Sequence, residues 1–144
     1  MSILKKSLVA LYILITALSC NKNSELQNEY NSLFKEVIAV HDEIMPKMNE
    51  LSQLQEQIKT DTIVSAELKN EVLINLQESD DRMMSWMHSF TDEYVKQRTP
   101  VAKMSTQELK SGIKGLEAEL EKVNNLKDFT YESLEAAQQV VTNK

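Results

Sequence analysis

Residues 25–59 read ELQNEYNSLFKEVIAVHDEIMPKMNELSQLQEQIK, and the spacing of their apolar side chains decides the fold. Leu26, Tyr30, Leu33, Val37, Val40, Ile44, Met48, Leu51 and Ile58 recur mostly in alternating steps of three and four. On a helix of 3.6 residues per turn this spacing makes one continuous apolar stripe, whereas a strand alternates every second residue. A first helix is therefore predicted from about Glu25 to Lys59. Pro46 lies inside it. Proline lacks an amide proton and its ring meets the carbonyl of Asp42, so a kink is expected there.

The same periodicity continues towards the C-terminus. Residues 59–62 form a turn, with Asp61, Thr62 or Ser65 placed to cap a second helix running to about Arg98. Leu68, Val72, Leu76, Met83, Trp86, Met87, Phe90 and Tyr94 share its inner face, and Ser79 falls in the same stripe. Thr99-Pro100 ends it, because the residue before proline disfavours the helical region. Ser105-Thr106-Gln107-Glu108 has capping-box spacing and opens a third helix. Its stripe is Leu109, Ile113, Leu116, Leu120, Val123, Leu134, Ala137 and Val141, with Lys127 and Thr130 at positions where apolar residues are expected. A break near Asn124-Asn125, giving a short fourth helix from about Thr130, is the alternative to one continuous rod. Three rods of about 50–55 Å, at 1.5 Å per residue, make an all-α, antiparallel three-helix bundle with coiled-coil-like packing. Two glycines and two prolines in 144 residues leave few interruptions for such rods.

Ahead of the bundle, Lys5 and Lys6 precede an apolar run from Leu8 to Leu18, then Ser19 and the chain's single cysteine, Cys20. A basic start, a short apolar run and a small-residue exit have the layout of a secretory signal, too short to span a bilayer core of roughly 30 Å. Ala17-Leu18-Ser19-Cys20 resembles the lipobox of bacterial lipoproteins. The resemblance implies a lipid on the Cys20 thiol, cleavage before it and acylation of the new amine. The expected layout is a signal peptide over 1–19, a lipidated tether over 20–24 and a helical domain over 25–144. Asn21, where some lipoproteins carry an aspartate that retains them at the inner membrane, slightly favours the outer membrane. Loss of residues 1–19 removes two lysines and no acid, so the net charge moves from −6 to −8. So acidic a chain has no electrostatic case for nucleic acid, and its contact with a membrane is expected through the lipid alone.

Chemistry-bearing residues concentrate in two stretches, His41-Asp-Glu-Ile-Met-Pro-Lys-Met48 and Met83-Met-Ser-Trp-Met-His-Ser-Phe90. Folding the first two helices back about Asp61 brings them to one level. One reading is a copper or haem site drawing on His41, Met45, Met48, Met83 and Met87, since thioether and imidazole suit such metals. The other is packing, because methionine fills irregular gaps and touches aromatic rings favourably. His88 and Met84 project away from the stripe, so the candidate ligands do not converge on one point and packing is the expectation. A core histidine needs partners. His41 is therefore expected in a structural polar layer with Ser79, Asp80 and Asn124. Glu117, Glu119 and Glu121, with Lys114 and Lys122, read as a solvated face. No phosphate loop, nucleophile elbow, HExxH or paired metal cysteines occur, so no enzyme and no resident cofactor are expected.

With the lipobox, HDEIMPKM and MMSWMHSF resemble small lipoproteins of Bacteroidota-type bacteria, some of which carry the label "viral A-type inclusion protein". The resemblance implies a helical lipoprotein and assigns no site residue beyond Cys20. The functional expectation is a lipid-anchored envelope bundle that binds or scaffolds a protein partner. The alternatives are a periplasmic copper- or haem-binding protein and a subunit self-associating through Leu73, Met84 and Val95.

Overall fold

The computed structural model describes residues 2–96 and 99–142, with side chains from residue 23 onward. It is an all-α three-helix bundle. Helix α1 spans Ser2–Thr60, α2 Ala66–Phe90 and α3 Thr106–Thr142; a π-helical segment, Thr91–Lys96, prolongs α2, and a 3₁₀ turn, Val101–Lys103, leads into α3. The helix predicted from Glu25 thus begins earlier, and the expected tether is helical through residues 21–24, where no glycine or proline interrupts it. Helix α1 continues through Pro46, which stands on its exposed side, where water can donate to the Asp42 carbonyl in place of the missing N–H. The expected end of the second helix at Arg98 lies outside the described residues.

Local chemistry sets the helix ends. Ser65 caps α2 by accepting from the Leu68 amide at 3.4 Å. Before it, Asp61 Oδ1 accepts from the Ile63 and Val64 amides at 2.7 and 3.1 Å, which folds the turn back on itself. The capping box of α3 forms as its spacing predicts. Glu108 Oε2 accepts from the Ser105 amide at 2.7 Å, and Ser105 Oγ accepts from the Glu108 amide at 3.3 Å. The Ser105 hydroxyl and amide hold the Glu108 carboxyl below its ordinary pKa.

Contacts between helices give the topology. Thr106 Oγ1 meets Asn23 Oδ1 at 3.1 Å near one end, and Gln138 Nε2 donates to Glu50 Oε1 at 2.5 Å near the other, so α1 and α3 run parallel. Helix α2 is antiparallel to both: its Phe90 faces Phe34 and its Trp86 faces His41. Helix α3 is unbroken at Asn124-Asn125, and no fourth helix separates from it. The reason lies in Thr130, fully buried yet satisfied within its own helix by donating to the Leu126 carbonyl at 2.8 Å. Lys127 instead reaches Glu43 on α1 at 3.5 Å.

Two apolar clusters fill the interior. The larger gathers Tyr30, Val37, Ile44, Met83, Trp86, Phe90, Tyr94, Leu109, Ile113, Leu116, Val123 and Leu126. The smaller gathers Leu51, Leu54, Ile58, Val72, Leu76, Leu134 and Ala137 beside the 61–65 turn, and Met48 packs against both. Both glycines of the chain sit mid-helix in α3, where each costs about 1 kcal/mol relative to alanine. Ring contacts explain them. A Cβ at Gly112 would lie 2.6 Å from Tyr30 Cε2, and one at Gly115 would collide with the Tyr94 hydroxyl.

Gly115→Ala is expected to destabilise the bundle by about 1–3 kcal/mol through overpacking, despite alanine's better helix propensity. Adding Tyr94→Phe removes the hydroxyl and leaves Cζ at an ordinary 3.5 Å from the new methyl. The double variant should regain at least wild-type stability. Chemical denaturation of the two single variants and the double variant measures both effects, and a Gly115→Ala protein as stable as wild type would contradict the contact.

Candidate functional site

Helix α2 carries a column of rings along its buried face. Trp86 and Phe90 stack with centroids 5.0 Å apart, and so do Phe90 and Tyr94. The latter pair spans the entry to the π-helical segment, which sequence periodicity did not signal. From α1, Phe34 meets Phe90 at 5.6 Å and His41 meets Trp86 at 5.7 Å.

From α3, Glu119 reaches under the same column. Its Oε2 accepts from Trp86 Nε1 at 2.9 Å and its Oε1 from Lys122 Nζ at 2.6 Å. The Glu119 bond keeps the Lys122 ammonium above its ordinary pKa. Glu119 is only 6% exposed, which corrects the expectation that it belongs to a solvated face; Glu117, Glu121, Lys114 and Lys122 do lie there. The signal that would have found it is Trp86 itself. A buried indole N–H demands an acceptor, and Glu119 lies within a turn of Trp86's level in the α2–α3 hairpin. Above the pair, Arg82, Ser85, Trp86, Glu119, Lys122 and Leu126 help to line a groove of about 400 Å³ between α2 and α3. Arg82 lies over the Phe129 ring at 4.0 Å and pairs with Glu78.

His41 is held on one side only. Its Nδ1 lies 3.0 Å from Asp42 Oδ1. An ionised carboxylate only accepts, so Nδ1 is the donor and in the neutral imidazole Nε2 carries the lone pair. Nε2 is buried and has no hydrogen-bond partner among the described residues.

The expected polar layer does not form around it. Ser79 is fully buried but donates to the Asn75 carbonyl at 3.0 Å, and Asn124 donates to the Leu120 carbonyl at 2.9 Å. Asp80 is half-buried and makes no bond to His41. Each hydroxyl or amide has a carbonyl one turn back on its own helix, nearer than any imidazole across the interface. Of the candidate metal ligands, Met83 is 1% exposed within the larger cluster, Met48 and Met87 pack against it, and Met45 is 40% exposed. Among the described residues no three His, Cys, Asp or Glu side chains gather as a metal site. The lipidation candidate, Cys20, lies outside the residues whose side chains are described.

Fold and site together describe a three-helix bundle with an aromatic and methionine layer across its middle. Compared with known proteins, the chain finds no matching family, curated relative or solved structure.

Glu119→Ala is expected to cost about 1–3 kcal/mol by leaving the Trp86 N–H unpaired, whereas Glu119→Gln, which keeps an acceptor, should cost less than half as much. Denaturation followed by the fluorescence of Trp86, the single tryptophan, reads both. Equal losses would mean that the bond contributes nothing.

Burial pushes the Tyr94 phenol up to about 12, with Glu93 and Glu119 adding to the shift. The unfolded phenol titrates near about 10, so the folded state favours the proton. Stability is therefore complete below about pH 10 and falls as pH rises towards the folded value. Absorbance at 295 nm should show one late-ionising tyrosine, and Tyr94→Phe should flatten the alkaline loss of stability.

Proposed function

We propose that the protein is a lipoprotein of the cell envelope, anchored through a lipid on Cys20 and acting by binding or scaffolding rather than catalysis. The observation that carries the reading is the ordered run Lys5-Lys6, Leu8–Leu18, Ser19-Cys20 ahead of an acidic helical chain. In support, among the described residues no helix is long and apolar enough to cross a membrane, so membrane attachment calls for a different device. Two or more acyl chains supply one, since each buried methylene adds about 0.8 kcal/mol and a single chain holds only marginally.

The bundle's polarity supports a presenting role. The 99–104 connection lies beside the start of the described α1 side chains, where Gln27 Nε2 donates to the Val101 carbonyl at 3.4 Å. The 61–65 turn lies at the other end of α1, about 60 Å from residue 20 at 1.5 Å per residue. Upright on its lipid, the rod carries Ile63, 76% exposed, at its far tip. Self-association is a second reading, favoured by Met84 on α2 and Val95 on its π-helical extension, which are 50% and 52% exposed.

Made in a bacterium with lipoprotein processing, the chain should incorporate labelled palmitate and sediment with membranes. Cys20→Ser should abolish both. An intact mass showing a bare Cys20, or residues 1–19 still attached, would overturn the anchor. Sedimentation velocity of the detergent-solubilised chain addresses self-association: a clean monomer removes it, and a dimer dispersed by Met84→Glu supports it.

A further inference from the structure

We infer that the His41 layer is a binding site for a monovalent soft metal ion, Cu(I), held by His41 Nε2 and the thioethers of Met83 and Met87. The inference concerns the bundle interior and is independent of the lipid anchor.

Three observations carry it. First, the imidazole is set as a metal-binding imidazole is set. Asp42 Oδ1 accepts from the Nδ1–H at 3.0 Å, which fixes the tautomer and orients the ring. Second, the nitrogen so prepared points inward, buried, with no hydrogen-bond partner among the described residues. Third, soft donors flank the ring it meets. Trp86 lies 5.7 Å from His41, centroid to centroid, and Met83, three residues before Trp86, shares its apolar cluster, while Met87, one residue after, packs against that cluster.

The ligand set selects the ion. With no three His, Cys, Asp or Glu side chains gathered among the described residues, a hard or borderline divalent cation lacks its donors, while one imidazole and thioethers suit Cu(I). A single positive charge in an apolar layer must be compensated. The indole face beside His41 offers cation–π attraction, and carboxylates bind the outer N–H of both rings, Asp42 on His41 and Glu119 on Trp86. Met45, 40% exposed, falls outside the set, and Met48 lies two turns beyond His41 between the two apolar clusters.

The test uses the full chain with Cys20→Ser, which removes the competing thiol, purified in detergent and kept anaerobic. Tetrakis(acetonitrile)copper(I) is titrated in the presence of the chromogenic chelator bicinchoninate, with Trp86 emission recorded in parallel. One equivalent of Cu(I) should be withdrawn from the chelator, with loss of more than half the emission. Asp42→Asn leaves the interior untouched, since the Asp42 side chain is 69% exposed, and should weaken binding about 10–100-fold as the loss of an orienting partner does. His41→Phe keeps a ring against Trp86 and should abolish the stoichiometric step, with circular dichroism showing the helices intact. Met83→Leu and Met87→Leu should each weaken binding at least about tenfold, a change of about 1.4 kcal/mol. No withdrawal from the chelator, or equal withdrawal by wild type, His41→Phe and Asp42→Asn, overturns the site.

Discussion

The stacked rings of Trp86, Phe90 and Tyr94 set the register of the other two helices. On the α1 side, Phe34 and His41 are seven residues apart, two helical turns, and meet Phe90 and Trp86. On the α3 side, Gly115 and Glu119 are four apart and receive Tyr94 and Trp86. A slide of α3 by one turn would bring a side chain against the Tyr94 hydroxyl and strip the indole of its acceptor, and a slide of α1 would part Phe34 and His41 from their rings. Apolar burial is non-directional and would tolerate such a slide. The hydroxyl's need for space and the N–H's need for a partner do not. Two mid-helix glycines, unfavourable by propensity, therefore belong to the packing that defines the bundle.

Polar atoms inside this core follow a different rule. Ser79, Thr130 and Ser133 are buried and each donates to the carbonyl four residues back on its own helix. Such bonds satisfy the group locally and ask nothing of the neighbouring helix. They explain why small polar residues interrupt the stripe without breaking the rod, and why they contribute no cross-helix network. Register falls to the aromatic column and to Glu119, the buried acid whose bond crosses from α3 to α2.

The bundle itself was legible because its signal is redundant. A three-four stripe repeated over some thirty residues survives an odd serine or lysine, and the caps at Ser65 and Ser105 act through local geometry. Site details were not legible, because each depends on one choice among partners. Whether Ser79 bonds a carbonyl one turn away or an imidazole across the interface leaves the periodicity unchanged. Glu119 sits among Glu117, Glu121 and Lys122 in sequence, and only the demand of Trp86 on another helix sets it apart. The π-helical segment escaped for a related reason. Thr91–Lys96 contains no breaker, and its wider turn leaves Tyr94 on the face already predicted for it.

Against that background His41 stands alone. Trp86, Ser79, Thr130, Ser133 and Glu119 all close their hydrogen bonds, while His41 Nε2 is the buried side-chain nitrogen among the described residues left without one. An unsatisfied buried group costs about 1–3 kcal/mol. A phenylalanine at the same place would stack on Trp86 and carry no such cost, so packing alone does not account for an imidazole there. Nor does Asp42, which engages the opposite nitrogen and, by accepting from its N–H, leaves the inner lone pair bare. A nitrogen oriented from outside and left open within has the chemistry of a ligand, and the thioethers of Met83 and Met87, gathered with its neighbour Trp86, are soft donors of the kind that would complete its shell.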